Sequence, residues 1–303
     1  MASGDNKFVA VVVTYNRKSL LRENLNALLN QKSVIPDVII VDNASNDGTD
    51  QMIKEEFDCP KVKYFNTGAN LGGAGGFQFG VREAMKLDYD YVWIMDDDTV
   101  PESDALLGLI EAESNIDINW GALSSLALWT DGGVCKANRQ KRSLFRFVSD
   151  EDYIRGVPIP VEMASFVSLL VKTQVIKEIG LPIGEYFIWT DDYEFTGRIN
   201  RAGYKVFVIP GSKVVHKMKE NKKINFVKET PDRIDRYRYV YRNDVHCYRQ
   251  YGFKGYIYLL TKAVFTIVNI LLKSPCGRMH KMHVLFEGLR EGKSFNPIIE
   301  FID

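Results

Sequence analysis

The chain has 303 residues, 46% hydrophobic and 26% charged, with 39 lysines and arginines against 39 aspartates and glutamates. That length carries a sizeable core, either one large domain or a domain with an appendage, and the balanced charge names no partner. Four scattered cysteines (Cys59, Cys135, Cys247, Cys276) argue against a disulfide framework or a zinc-finger spacing and suit free thiols in a reducing compartment. Residues 1–7 hold no apolar leader core, so a cytoplasmic location is expected.

Residues 8–13 are a β-branched run of the kind buried in a parallel sheet, and they end in Thr14-Tyr15-Asn16-Arg17. Leu21, Leu25, Leu28 and Leu29 then recur at helical spacing, with Ser19 a candidate cap. A second β run over 37–41 ends in Asp42-Asn43-Ala44-Ser45-Asn46-Asp47-Gly48-Thr49, and a third strand falls near 61–65. Strands alternating with helices predict an α/β sheet whose ligand crevice lies at the carboxyl ends of the strands. Asn70-Leu71-Gly72-Gly73-Ala74-Gly75-Gly76-Phe77 follows, before a helix expected over 77–85. Its amides are suited to a phosphate, and its glycines equally to tight packing of helix on sheet.

Residues 91–95 form an apolar run that stops at Asp96-Asp97-Asp98, followed by Thr99-Val100-Pro101. Adjacent carboxylates in a low-dielectric site repel one another, and a hard divalent cation such as Mg or Mn relieves that repulsion. In an extended chain Asp96 and Asp98 share one face and Asp97 takes the other. The alternative is a solvated turn in which Asp98 or Thr99 caps the next helix. Further on come a helix over 102–112, a buried strand over 123–129, a basic aperiodic stretch over 131–150 that reads as a lid or a solvated loop, and strand character over 161–171. Asp191, Asp192 and Glu194 lie among aromatics at the start of a helix, either as acids tuned for proton transfer or as partners of the helix macrodipole. A short strand over 204–209 leads to His216, which is placed to reach the rim of the acidic triplet.

Beyond residue 218 the character changes. Arginines (233, 236, 238, 242, 249) alternate with tyrosines, suiting phosphate or anionic headgroups, single-stranded nucleic acid, or simple packing on the sheet. Residues 256–272 are apolar with a polar stripe at Lys262, Thr266 and Asn269. This is a poor membrane span at that length, and is expected as an interfacial helix or a buried subunit or domain contact.

The ordered motifs at 12–17 and 41–49, the triplet, Thr190-Asp191-Asp192-Tyr193-Glu194-Phe195 and His216 together resemble the inverting family 2 glycosyltransferases over roughly residues 7–218. Within that family, residues 70–77 and 95–99 look most like bacterial galactofuranosyl- and rhamnosyltransferases of surface-glycan assembly. The resemblance implies a GT-A (Rossmann-like) α/β fold, a mixed and mostly parallel sheet flanked by helices, spanning 1–218, with a C-terminal helical segment over 219–303. It implies a nucleotide-sugar site of Thr14, Tyr15, Arg17, Asp42, Asn70, Gly73 and Asp97, with Asp42 on the base and Asp97 on ribose or sugar hydroxyls. Asp96, Asp98 and His216 would hold Mn2+ or Mg2+, Asp192 would be the general base, and Trp189, Asp191 and Glu194 would contact the acceptor. The donor would be a UDP- or dTDP-linked sugar. The acceptor would be a saccharide or a polyprenyl-diphosphate-linked saccharide, with no nucleic-acid partner. Peripheral contact with the inner face of the membrane, or self-association, would involve the C-terminal helices. Two other readings compete: a sugar-phosphate nucleotidyltransferase, which lacks its expected glycine- and lysine-rich loop after strand one, and a non-catalytic glycan- or nucleotide-binding module.

Overall fold

A computed structural model describes residues 6–32, 34–222 and 225–302; most of the segment read for a leader, residues 1–5, lies outside them. The first half runs β1 (Phe8–Thr14), α1 (Lys18–Leu29), β2 (Asp37–Asp42), α2 (Thr49–Glu56), β3 (Val62–Asn66), α3 (Gly72–Met85) and β4 (Tyr91–Asp96). Next come β5 (Thr99–Pro101), α4 (Ala105–Glu113), β6 (Trp120–Leu128), the hairpin β7 (Lys141–Ser143) and β8 (Arg146–Phe147), α5 (Asp150–Ile154), β9 (Ile159–Val161) and β10 (Leu169–Lys172). The chain closes with α6 (Thr173–Ile179), α7 (Asp191–Arg201), β11 (Lys205–His216), α8 (Tyr237–Arg249), α9 (Gly252–Lys273) and α10 (Arg278–Ser294).

The strand order is β3-β2-β1-β4-β10-β6-β11-β5, with β9 also on β11. β3, β2, β1 and β4 are mutually parallel, whereas β10 runs antiparallel between β4 and β6. Every residue of β1 is buried, because both faces of the sheet are covered. Val9, Val11 and Val13 pack with Phe77 and Val81 on one side, and Ala10 and Val12 with Leu21, Leu25 and Leu28 on the other. Each such leucine or valine contributes about 1.5–3 kcal/mol of burial.

Several local expectations change. Ser19 does not cap α1; the Asp47 carboxylate accepts from the Lys18 amide at 2.9 Å, so the cap comes from the loop after β2. α3 begins at Gly72 rather than Phe77, because its glycines let it lie close to the sheet: a Cβ at Gly76 would strike Val13, and one at Gly80 would strike Val11 and Val41. The segment expected as one strand over 161–171 is two, β9 and β10, parted by a buried loop whose Ser168 bonds the Trp93 indole at 2.8 Å. β11 is longer than expected and includes His216, with a register shift between Ile209 and Lys213 where Pro210-Gly211 interrupts it. The stretch 131–150 is neither wholly solvated nor irregular, since it contains β7 and buries Cys135, Gln140 and Lys141.

The C-terminal helices enclose their own apolar cluster of Phe226, Ile234, Tyr237, Tyr241, Ile270, Val284 and Leu285. A return strap ties them to the sheet layer, where Glu300 pairs with Arg82 and its carbonyl accepts from the Leu181 amide at 2.8 Å. α9 is amphipathic in the inverted sense. Lys262 reaches inward to Asp244 at 2.5 Å, whereas Phe253, Leu260, Val264, Phe265, Leu271 and Leu272 are exposed. At 22 residues it is longer than the run read from sequence, and is long and apolar enough to cross a membrane by length and composition.

Candidate active site

The acidic triplet sits where β4 ends. β5 doubles back from it and pairs with the end of β11, His216 opposite Thr99, and this brings the histidine onto the triplet. The segment is therefore a strand-to-strand turn and does not cap a helix. One ligand atom from each of Asp96, Asp98 and His216 lies within 4.8 Å of the others. Asp98 Oδ1 is 2.9 Å from His216 Nε2, and its Oδ2 accepts from the Arg17 guanidinium at 2.6 Å. Asp97 accepts from Thr14 Oγ1 at 2.7 Å and, at 3.2 Å, from the same Arg17 nitrogen that Asp98 uses. Because Asp97 and Asp98 both lie in the turn beyond β4, the extended-chain alternation expected for the triplet does not apply to them.

Charges here are made unequal by their surroundings. Burial, then the Asp98 carboxylate, pushes Asp96 up to about 7, and no hydrogen bond to the Asp96 side chain is found among the described residues. Burial would also raise Asp98, but the hydrogen bond and charge of His216 and the charge of Arg17 hold it below the usual carboxylate range. Burial opposes protonation of His216, yet Asp98 and Cys135 raise it to about 10. Arg17 and His216 thus offset part of the charge of the three carboxylates gathered here. Two carboxylate oxygens and an imidazole nitrogen fit Mg2+ or Mn2+ well.

The loops after β1 and β2 interlock. Ser45 Oγ accepts from the Asn16 amide at 2.8 Å, Asn16 Oδ1 accepts from the Asn46 amide at 2.8 Å, and Asn16 and Ala44 both adopt positive φ. Asp42 is fully buried, accepting from the Ser45 amide at 2.8 Å and the Tyr64 hydroxyl at 2.6 Å. Tyr15 is exposed, and its chain neighbour Thr14 is buried. Asn70 Oδ1 accepts from the Gly72 amide at 2.9 Å, and the space where a Gly73 side chain would project is open. Gly72 has φ +72° and lies so close to the Phe187 carbonyl that no side chain fits.

That carbonyl belongs to the loop before α7, in which Phe187, Trp189 and Thr190 all take positive φ. Non-glycine residues in that region cost of order 1–3 kcal/mol each and persist only where neighbours over-determine them. The neighbours come from α8. The buried Asn243 side chain donates to the carbonyls of Tyr186, Ile188 and Trp189 at 3.0, 3.0 and 2.9 Å, and Arg242 donates to those of Glu185 and Tyr186. Asp244 accepts from Thr190 Oγ1 at 3.3 Å.

The loop delivers Asp191 and Asp192 to the first turn of α7. Burial pushes Asp191 up to about 6, although its own amide and that of Asp192 oppose the rise. Asp192 is raised further by burial and by Asp191, then by the Asp96 carboxylate; Lys141 pulls it back. Asp192 is half-buried and Asp191 buried, so Asp192 is the more accessible of the two. Glu194 turns into the interior, 2% exposed, with its oxygens 3.0 Å from Arg198 and 3.3 Å from Arg201. Its carboxylate is committed to that pair, at odds with the acceptor contact expected of it. Trp189 packs at a 39° tilt on Tyr237 with centroids 5.0 Å apart, under the Arg236 guanidinium.

Sequence reasoning missed four contributors: Tyr64, Asn138, Lys141 and Asn243. Lys141 donates to the Tyr248 and Tyr258 hydroxyls at 2.8 and 3.1 Å and lies over the Tyr193 ring. Asn243 falls within the Arg/Tyr alternation already noted, but the alternation drew attention to its neighbours.

Residues 9–121 match the family described as Glycosyl transferase family 2. Galactofuranosyltransferase GlfT1 of Mycolicibacterium smegmatis is 28% identical over 200 residues, covering 64% of this chain and 65% of that protein. The N-acetylglucosaminyl-diphospho-decaprenol L-rhamnosyltransferase of Mycobacterium tuberculosis is 26% identical over 230 residues, covering 68% and 74%. The chain thus spans a little under two thirds of the length of the GlfT1 relatives. Among solved structures, a mannosyltransferase from Pyrobaculum calidifontis in complex with GDP-Man and Mn2+ is 16% identical with TM-score 0.56, covering 97% of this chain and 78% of that one. Staphylococcus aureus TarS, residues 1–349, is 19% identical with TM-score 0.53, covering 95% and 72%.

Proposed function

The chain belongs to glycosyl transferase family 2 and has the GT-A fold, and from that premise we propose that it moves a sugar from a nucleoside-diphosphate donor to an acceptor hydroxyl with inversion. The observation that carries the reading is the cluster of Asp96, Asp98 and His216, with Asp192 near enough for the Asp96 carboxylate to raise it. Asp96, Asp98 and His216 would hold Mn2+ or Mg2+, and the ion would supply positive charge against the departing nucleoside diphosphate. Thr14, Tyr15, Arg17, Asp42, Asn70, Gly73 and Asp97 form the nucleotide-sugar side. Asp42 acts there largely by holding its loop, since both its oxygens already accept bonds.

Asp192 takes the proton of the acceptor hydroxyl. Its raised proton affinity suits a general base, and its exposure favours it over Asp191. Trp189 and Asp191 flank the acceptor. The names of the bacterial relatives support galactofuranose or rhamnose as the sugar, UDP or dTDP as its carrier, and a saccharide or polyprenyl-diphosphate-linked acceptor of the cell envelope. The outward apolar face of α9 supports peripheral attachment to the cytoplasmic face of the membrane, within the C-terminal unit 219–303, or self-association through the same face.

A screen of UDP- and dTDP-sugars with Mn2+ and a lipid-linked disaccharide tests the reading. Release of nucleoside diphosphate coupled to a lengthened glycan is the expected result. Binding without turnover for every donor and acceptor would favour a binding module, and diphosphate release from a nucleoside triphosphate plus sugar phosphate would favour a nucleotidyltransferase.

A further inference from the structure

The stretch 131–150, which places Lys141 near Asp192, also supplies the immediate neighbour of the candidate metal-ligating histidine. After a tight turn closed by the Trp129 amide on the Gly133 carbonyl at 2.8 Å, the chain returns beside the end of β6. Asn221 pins it there, accepting from the Lys136 amide and donating to the Val134 carbonyl. Asn138 then lies against the imidazole edge opposite the carboxylates, with Oδ1 2.7 Å from His216 Nδ1.

From this arrangement, and resting on the metal reading above, we infer that Asn138 is a positioning residue that keeps the proton of His216 on Nδ1 and turns the Nε2 lone pair toward Asp96 and Asp98. The orientation of the amide follows from its other partners. Its nitrogen donates to Ser165 Oγ at 3.3 Å, and its oxygen also accepts from the buried Cys135 thiol at 3.1 Å. The oxygen therefore faces two donors and has no proton of its own to offer, so Nδ1 is held as N–H. With Nδ1 committed as a donor to Asn138, Nε2 is the nitrogen left for the carboxylate side: carrying a proton it donates to Asp98 at 2.9 Å, and with a metal ion in place of that proton it offers its lone pair. A hydrogen-bond acceptor behind a ligating histidine both sets the tautomer and fixes the ring plane, and losing one typically costs about 10- to 100-fold in metal affinity. The segment that looked like a lid or a solvated loop is thereby the outer wall of the metal site.

Mn2+ titrations followed by electron paramagnetic resonance, without nucleotide, test this in the full chain. Asn138→Leu, of similar volume, is expected to weaken Mn2+ about 10- to 100-fold. Asn138→Asp, which keeps an acceptor at the same place, is expected to bind at least as tightly as wild type. Melting temperatures of both variants separate local loss from unfolding. Because a leucine side chain packed against Cys135 is itself a perturbation, the His216 Nδ1–H proton resonance with Mg2+ bound gives a second readout: hydrogen-bonded and slow to exchange in wild type, lost to rapid exchange in Asn138→Leu. Equal Mn2+ affinity for wild type and Asn138→Leu, with Asp98→Asn abolishing binding, would overturn the role of Asn138 and leave the metal site standing. Binding that Asp98→Asn does not affect would overturn the metal reading, and this inference with it.

Discussion

The two acidic clusters lie close enough for the Asp96 carboxylate to raise Asp192, and they differ in how many of their carboxylates are compensated. Around Asp96, Asp97 and Asp98 the protein supplies partial compensation: Arg17 touches two of the carboxylates and His216 a third oxygen, which holds Asp98 low while burial still pushes Asp96 up to about 7 and Asp97 up to about 6. Around Asp191 and Asp192 it withholds it; the available arginines of α7 are spent on Glu194, and burial raises both carboxyls. Environments that push like groups apart in proton affinity separate their chemical roles. Under the proposed function the first cluster keeps Asp98 ionised beside the metal position, and the second raises the proton affinity of the acids proposed to meet the acceptor.

The largest test of that division is Asp192→Asn. Loss of a general base costs about 10²- to 10⁴-fold in turnover. Donor binding, measured by calorimetry with Mn2+, is expected to stay within error of wild type. Turnover within a few-fold of wild type would remove Asp192 as the base.

A smaller effect is expected at Asn243. Truncation to alanine frees three carbonyls of the strained loop, and a displaced base costs up to about 10²-fold in kcat. Mn2+ affinity should not change, because Asn243 lies on the other cluster's support. A parallel fall in Mn2+ affinity would show that the two clusters do not stand independently.

The smallest effect concerns stability. Asp191 has its pKa raised from 3.8 to about 6, so the folded state binds more protons than the unfolded state between those values. Stability therefore falls as pH rises through that window, by at most roughly 3 kcal/mol. Asp191→Asn is expected to melt higher than wild type at pH 7.5 and close to it below pH 4. Equal melting temperatures at both values would mean that the cluster carries no such cost.

Much of this is legible in the chain. The β-branched run of β1, and the arrest of β4 in three aspartates, reflect local patterning that a sheet imposes directly. The inaccessible part comes from partners distant in sequence. Asp47 caps α1 from 29 residues away, so the nearer hydroxyl of Ser19 is the wrong candidate. The glycines of α3 read as a phosphate loop or as packing, and Gly76 and Gly80 follow the second course. Asn138 has no motif around it, because its role depends on a hairpin turn and a strand 78 residues later. In α9 the stripe of Lys262 and Thr266 is visible, but its inward direction is not, since polarity alone suggests the solvent side.

The strained loop before α7 also has a consequence for the order in which the chain matures. It is gripped from one side by Gly72 and from the other by Asn243, two positions more than half the chain apart that meet only through the loop. Contacts of such sequence separation form late, because closing long loops must precede any reward. The parallel strands and the acidic triplet assemble from the first third of the chain. A nascent chain ending near residue 218 therefore already holds every proposed ligand for the metal and the Gly72 side of this grip, yet lacks the Asn243 side. α8 thus completes the support of Asp191 and Asp192 after the parallel strands and the triplet are already made.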